Sequence, residues 1–526
     1  MALDIGRREL ARQLAGARRR GQRVPHVTIV GGGLSGLAMA MQLVRSGSRE
    51  FTVLEHSDGV GGTWHDNTYP GSGCDVPSHL YSFSFAPKCD WTRRFAEQPE
   101  ILGYAERCVA SFGLDPHLRL RTTVESATFD EERGRWVLAC AGPGGSEELE
   151  TDVLVLACGQ LNRPYVPPLP GLDDFAGPQW HSARWDHTVD LAGRRVAVVG
   201  NGASAIQFVP PVAEQAERVT VFQRSANYVA PKKDRVYGPL TRAVLARVRP
   251  VELLYRWWIY WNLEARWLWF RKDSWASRTV TKLFAKGIRE GAVSDRLPAD
   301  ALVPDYPVGC KRVLISSDWY PTLHRPDVEL VDQAVDRVEV DAVVTEDGRR
   351  HPADVLVFAT GFDTTNFLAH LPVHGVGGRS LTDEWRDGAH AYLGVMVAGF
   401  PNCHLLYGPN SNLGHNSILF MVERQVSLVL QALALQLAAG ADDPAVLGVE
   451  PDAYREDDIR TQRRVAGTAW AAGCRSWYKD ASGRVTNNWP TWTVRYWFDT
   501  LRLRRDAVRP RPVPSGRAVT ADAATG

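Results

Sequence analysis

The chain repeats one local pattern, a short β-branched run that breaks at glycines into a helix, and this pattern leaves very few architectures open to it. Val27-Thr-Ile-Val30 runs into Gly31-Gly-Gly33-Leu-Ser-Gly36 and an Ala-, Met- and Leu-rich helical stretch. Arg195-Val-Ala-Val-Val199 runs into Gly200-Asn-Gly202-Ala203-Ser204-Ala205 and another helical stretch. Glycines so placed permit a tight turn and let backbone approach a pyrophosphate, while the helix N-terminus favours the phosphate charge. Each unit has a second strand, Phe51-Thr-Val-Leu54 ending in Glu55 and Val219-Thr-Val-Phe222 ending in Gln223-Arg224-Ser225. Both ends fall about 20 residues beyond the glycine turn, where the ribose is read. An acid there binds ribose hydroxyls and repels a 2′-phosphate; a guanidinium pairs with one. The expected fold class is α/β, with two Rossmann-like dinucleotide-binding domains, the second preferring NADPH to NADH.

At 526 residues the chain is too long for one core. A net charge of +1 argues against nucleic acid as the main partner. The eight cysteines contain no C-x-x-C pair and no zinc spacing, so they read as reduced thiols in a cytoplasmic protein, with no metal and no disulfide-reductase chemistry. No signal peptide or membrane span is apparent, and a soluble protein is expected. Residues 1–25 hold seven arginines against Asp4 and Glu9 and read as a solvated basic arm. The Pro-, Arg-, Ala- and Thr-rich stretch 505–526 reads as a disordered tail.

Between these ends, Gly61-Gly62-Thr63-Trp64 suits a loop passing close to a bulky cofactor. Tyr69-Pro-Gly71, Cys74-Asp75 and Tyr81 follow. The string Thr151-Asp-Val-Leu-Val-Leu-Ala-Cys-Gly159 returns as Ala353-Asp-Val-Leu-Val-Phe-Ala-Thr360-Gly361, an internal repeat at the scale of whole domains. Between the glycine units lies Phe175-Ala-Gly177-Pro-Gln-Trp-His181-Ser-Ala-Arg-Trp185-Asp186. About 232–300 the rhythm gives way to helical periodicity rich in tryptophan, read as an insertion that roofs a substrate cavity and leaves weak peripheral membrane contact open. Lys311-Arg312 comes next; further on, Leu406 to Ser417 precedes a long apolar helix whose N-terminus suits the N1–C2=O edge of a reduced flavin.

Taken together, F-x-G-x-x-x-H-x-x-x-W-D at 175–186, both glycine motifs, Tyr69 to Asp75, Lys311-Arg312 and Ala359-Thr-Gly-Phe362 resemble type I Baeyer–Villiger monooxygenases in composition and order, from Val27 to about Trp497. The resemblance implies FAD and NADPH as cofactors, with a ketone and dioxygen as substrates. It implies ester or lactone formation through a C4a-peroxyflavin. By position, Arg312 corresponds to the active-site arginine, Asp75 to its carboxylate, Arg224 and Lys311 to the 2′-phosphate grip, and Trp477 of Ser476-Trp477-Tyr478 to the nicotinamide-ribose contact. His181 corresponds to a residue that braces the linker and couples domain movement to the cofactor. Trp185-Asp186 separates this family from N- and S-oxygenating flavin monooxygenases, the alternative reading alongside an uncoupled NADPH oxidase. The expected layout is an FAD domain over 26–170 and 353–504 and an NADPH domain over 171–352.

Overall fold

A computed structural model describes residues 4–511 apart from 369 and 475. Its frame is two five-stranded parallel sheets. The first runs Cys403–Leu405, Val153–Leu156, Val27–Val30, Phe51–Leu54, Leu118–Arg119, and the second runs Val328–Val331, Arg218–Phe222, Arg195–Val199, Val355–Phe358, Gln179–His181. Each glycine-bearing strand sits at the centre of its sheet, with Val27 level with Phe51 and Val153, and Val199 level with Phe222 and Phe358. These strands are short, apolar and almost wholly buried because helices cover both faces of a parallel sheet.

The sequence repeat is visible at atomic scale. Gly31 has φ +110° and Gly200 φ +108°; a Cβ on the first would stand 2.6 Å from the carbonyl oxygen of Ala157, and on the second 2.5 Å from that of Ala359. Ala157 and Ala359 are the equivalent residues of the two repeated strings, so both turns are glycine for the same steric reason. The two chain crossings between the folds run side by side: the Tyr165 N–H donates to the Gly361 carbonyl at 2.9 Å and the Asp363 N–H to the Arg163 carbonyl at 3.0 Å.

Two readings are corrected. The N-terminal segment 1–25 is not a solvated arm: Ile5–Arg20 is a helix whose Leu10, Leu14 and Ala17 are buried against the long helix Ile418–Ala439 and the first glycine-turn helix, Leu34–Ser46. Its arginines fall on the outer face, so the charge count hid an apolar stripe at helical spacing. The tail, too, is ordered beyond 505: Val508–Arg511 pairs antiparallel with Val446–Val449. The remainder, 512–526, lies outside the described residues.

Ile418–Ala439 is the one described helix long and apolar enough to cross a membrane, and 78% of that stretch is buried inside the protein. It is the central core helix, packed under the N-terminal one. Gly6 lets the two backbones close, since a Cβ there would stand 2.3 Å from the Ser427 carbonyl oxygen. Leu14→Ala should therefore lower the unfolding free energy by about 2–5 kcal/mol, measurable as a reduced denaturant midpoint with an unchanged slope.

Candidate functional site

One cavity of about 780 Å³ runs from the first glycine turn to the second. At one end Gly31, Gly33, Ser35, Glu55, Gly62 and Thr63 line it. The Leu34–Ser46 helix begins here with Gly33 as its cap, and the backbones of Gly33 and Gly62 meet so closely that a Cβ on Gly62 would stand 3.0 Å from the Gly33 Cα. A floor of bare backbone at a helix N-terminus is an anion cradle. Glu55 closes the far side, accepting from the Gly32 N–H at 2.6 Å and the Ser57 N–H at 2.8 Å, with His56 at 2.8 Å. Burial pushes its carboxyl up, but the His56 bond and the two backbone N–H groups outweigh that and hold it below its ordinary value, keeping an acceptor for hydroxyls.

Trp64 and Tyr81 line the middle of the cavity, where the Trp64 Nε1–H donates to the Tyr81 hydroxyl at 3.1 Å. Here Asp75 meets Arg312: the Nη2 of Arg312 donates to Asp75 Oδ2 at 3.0 Å, across 237 positions of sequence. Burial works against the guanidinium's charge, yet the Asp75 carboxylate overcomes it and holds Arg312 above its ordinary pKa. The two groups come from different nucleotide folds. Asp75 is delivered by a segment bound to the helix Ala205–Ala213: Tyr69 donates its hydroxyl to Gln207 Oε1 at 2.9 Å, and Gln207 Nε2 donates to the Gly73 carbonyl at 3.0 Å and to Asp75 Oδ1 at 3.5 Å. Gly71, at φ +77°, lies where a Cβ would come within 2.5 Å of the Gln207 carbonyl oxygen.

At the second turn, Ala203 and Ser204 reach the cavity, while Gly200 and Gly202 stand behind them. Beyond, Lys311 Nζ donates to Ser225 Oγ at 2.6 Å. Burial, and then the neighbouring Arg224 charge, push Lys311 below its ordinary pKa. Among the described residues neither Arg224 nor Lys311 has a carboxylate within ion-pair distance, although most of the contacts of that kind elsewhere in the chain are Arg– or Lys–carboxylate pairs. Two cations and a hydroxyl without an acid make a site for a dianion.

The 175–186 segment is built for attachment. Phe175 is buried in the second sheet's core, and a Cβ on Gly177 would stand 2.2 Å from the Asp354 carbonyl oxygen. Trp185 packs its ring at 5.5 Å from Trp180 and 5.2 Å from Phe208 of the helix that holds Tyr69. Asp186 caps its own turn through the Thr188 N–H and hydroxyl. His181 ends the edge strand level with Phe358, accepts from the Ala183 N–H at 3.1 Å and packs edge-on to Phe362, beside Thr360 and Gly361. Burial pushes its imidazole down to about 4 against a smaller opposing contribution from the Gly361 backbone, so the ring is neutral at working pH.

Trp477 is not brought into the cavity lining. Its ring lies 4.4 Å from Tyr478 within a cluster of tryptophans, and its carbonyl accepts from Thr364 Oγ1 and Asn487 Nδ2. Several lining residues were missed by sequence reasoning. Gln207 carries no motif signal of its own. Arg184 approaches Asp66 at 3.3 Å from inside the 175–186 segment, and Tyr407, at φ +59°, donates to Asn412 at 2.7 Å. Glu264, fully buried, accepts from Asn416 at 2.7 Å, from the Thr493 N–H at 2.6 Å and from the Thr493 hydroxyl at 2.7 Å, pinning the helical insertion to the loop ahead of Ile418.

The geometry defines a protein with two nucleotide sites facing one another across a shared reaction cavity. Residues 24–371 match the family model for flavin-binding monooxygenase-like proteins. A Baeyer–Villiger monooxygenase of Streptomyces coelicolor is 41% identical over 505 residues, 95% of this chain and 96% of that protein. An oxidised steroid monooxygenase bound to NADP superposes with a TM-score of 0.81 at 32% identity, over 93% of this chain and 99% of that one. A complex of OTEMO with FAD and NADP gives 0.83 at 25%, over 93% and 100%. The chain belongs to the flavin-binding monooxygenase-like family and, within it, to the Baeyer–Villiger monooxygenases. The residues present fit FAD: the bare-backbone cradle is suited to a pyrophosphate and Glu55 to ribose hydroxyls, and the cavity continues from both toward Asp75 and Arg312.

The reading of all eight cysteines as reduced is corrected. Cys310, immediately before Lys311-Arg312, is joined to Cys474, two residues before Ser476-Trp477, and six cysteines stay free. The partners lie 164 residues apart, so no local spacing could announce the bond. It also removes the cysteine pattern as grounds for a reducing compartment. Denatured, unreduced protein should release six titratable thiols and, after reduction, eight; eight in both states would show the pair open.

Proposed function

We propose that this protein is an FAD-dependent monooxygenase that uses NADPH and dioxygen to convert a ketone to an ester or lactone. The Asp75–Arg312 pair at the meeting of the two nucleotide folds is the observation that carries the reading. Bound FAD, once reduced by NADPH, supplies the activated oxygen inserted beside the carbonyl. Arg312 is the catalytic cation: it stays charged at any working pH and faces the space where negative charge gathers on the reacting oxygens, so its field is in place before reaction. Asp75 fixes the guanidinium in orientation, and Gln207 fixes Asp75. Ribose binding falls to Glu55, pyrophosphate binding to Gly31, Gly33, Gly62 and Thr63, close packing of the helix on its strand to Gly36, and the flanking walls to Trp64 and Tyr81.

The second nucleotide occupies Gly200, Gly202, Ala203 and Ser204, with its 2′-phosphate on Arg224, Ser225 and Lys311. Residues 26–170 and 362–504 form the FAD domain and 171–361 the NADPH domain, the expected boundary at 353 moving to 361 because Val355–Phe358 pairs in the second sheet beside Arg195–Val199. Phe175, Gly177, His181, Trp185 and Asp186 act as the joint between them. A neutral His181 beside Thr360 and Gly361 braces the crossing without moving a proton. Trp477 contacts the nicotinamide ribose. A cytoplasmic site of action accords with the NADPH requirement, and the substrate is a small-molecule ketone.

Purified protein given NADPH, ¹⁸O₂ and a panel of ketones and thioethers should place label in esters or lactones. Label in sulfoxide alone, or NADPH consumed with only hydrogen peroxide formed, would reject the proposal. Arg312→Ala should retain flavin reduction by NADPH and lose about 10²–10³-fold in ester formation; unchanged ester yield would remove Arg312 from the chemistry. Arg224→Ala should raise KM for NADPH roughly 10- to 100-fold, the worth of one or two charge-assisted hydrogen bonds, with KM for NADH almost unchanged. Equal losses with both nucleotides would deny it the phosphate.

A further inference from the structure

The helical insertion wears its apolar side outward. In Arg249–Glu264 the residues Val251, Leu254, Trp258 and Trp261 follow one another at three- and four-residue steps and are 40%, 71%, 52% and 48% exposed, with Leu253 and Trp257 beside them at 41% each. The opposite side, Glu252, Ile259 and Leu263, is buried. Half of the helix surface is therefore a water-facing apolar stripe, the reverse of what a surface helix normally shows.

The surroundings of the stripe are basic. Over 239–291 there are eleven Lys and Arg against four Asp and Glu, and two of those acids, Glu252 and Glu264, have fully buried side chains. Arg242, Arg247, Arg266, Arg271, Lys272 and Arg278 are exposed, and among the described residues none has a carboxylate partner. The whole chain carries only +1, so this is a local concentration of charge. Beneath the stripe lies a second cavity, about 500 Å³ and mostly apolar, whose walls include Leu253, Trp257 and Trp261 from the stripe and Leu80, Phe420 and Trp497 from the body. The first turns of the helix Ile418–Ala439 part it from the cofactor cavity: Phe420 and Glu423 face one side, Leu419 and Val422 the other.

We propose that this face docks on an anionic lipid surface, the stripe entering the acyl boundary and the flanking cations pairing with head-group phosphates, and that the cavity beneath receives the alkyl part of a lipophilic ketone drawn from the bilayer. The second half rests on the Baeyer–Villiger reading; the docking does not. Tryptophan and leucine flanked by Arg and Lys is the composition of an interfacial helix. A second copy of the chain fits the face less well, because a two-fold contact sets a patch against itself and here would oppose unpaired cations.

The test is flotation of the FAD-loaded enzyme with vesicles of phosphatidylglycerol and phosphatidylcholine, and of phosphatidylcholine alone. The enzyme should float with the anionic vesicles, far less with neutral ones, and be released at high salt. Arg242→Gln, Arg247→Gln and Lys272→Gln should each weaken vesicle affinity about fivefold. Leu254→Glu with Trp258→Glu should abolish flotation while FAD content and turnover of a short water-soluble ketone without vesicles stay at wild-type values. Turnover of a long-chain ketone dissolved in anionic vesicles should fall in that variant. No flotation, equal flotation with neutral vesicles, or a wild-type dimer that the double variant splits while lipid is ignored would overturn the docking. Flotation with no enzyme-catalysed oxidation of any ketone would instead overturn the Baeyer–Villiger reading and leave the docking standing.

Discussion

The contact on which the reaction cavity depends is the seat of the Tyr69–Asp75 segment on the helix of the second glycine turn. Asp75 belongs by sequence to one nucleotide fold and Arg312 to the other, and neither sheet alone holds them together. Gly71 lets the segment come down on the Gln207 carbonyl, and the Gln207 side chain then bonds Tyr69, Gly73 and Asp75 at once. One glutamine bonds the Tyr69 hydroxyl, the Gly73 carbonyl and the Asp75 carboxylate at once while Arg312 holds the other Asp75 oxygen, so the position of Asp75 is over-determined. Arg312 needs that fixity. A half-buried guanidinium is tolerated only beside its acid, and its field helps a reaction only if it does not reorient.

The two nucleotide sites show how one backbone solution takes opposite electrostatics. Gly31 and Gly200 make the same turn against equivalent alanines, so the backbone at each turn is a duplicate. The difference lies at the end of the second strand. Glu55 is kept ionised by His56 and backbone N–H groups, whereas Lys311 bonds the Ser225 hydroxyl and, among the described residues, neither it nor Arg224 has a carboxylate within ion-pair distance. Leaving two cations unpaired costs stability wherever they crowd one another; the pKa of Lys311 is lowered first by burial and then by Arg224, and a bound phosphate dianion would offset the second contribution.

Much of this was legible because it is written in local spacing. The glycine turns, the acid and the arginine at their equal offsets and the repeated strand endings each depend on a few neighbouring residues. What could not be read depends on distant contacts or on averages. Seven arginines before residue 25 suggested a solvated arm, but Leu10, Leu14 and Ala17 lie on one helical face that the charge total conceals. Cys310 and Cys474 meet only because the fold carries their loops together. Gln207 looks like any helix residue until Gly71 arrives against it. Trp477, which the resemblance places at the nicotinamide ribose, packs in this structure beside Tyr478 in an aromatic cluster, a contact no motif spells out because a motif names a residue and not its neighbours.

The insertion brings the same physics to a different end. Glu264 would be costly to bury alone, yet Asn416 and Thr493 give its carboxylate three hydrogen bonds; burial pushes its pKa up, and His415 at 3.4 Å, followed by the Thr493 and Asn416 bonds, outweighs that and holds it below its ordinary value. That anchor fixes one end of the Arg249–Glu264 helix to the loop lining the cofactor cavity. At its other end Arg249 pairs with the buried Glu252, and midway Arg256 donates to the carbonyls of His79 and Ser82. A helix held on its inner side by these polar contacts to the body and by Ile259 and Leu263, packed with Leu80, does not need its outer apolar residues for attachment. The tryptophans are thus free to face outward, where only a partner or a lipid surface gives their exposure a use, and whatever meets them sits a single helix away from the reaction cavity.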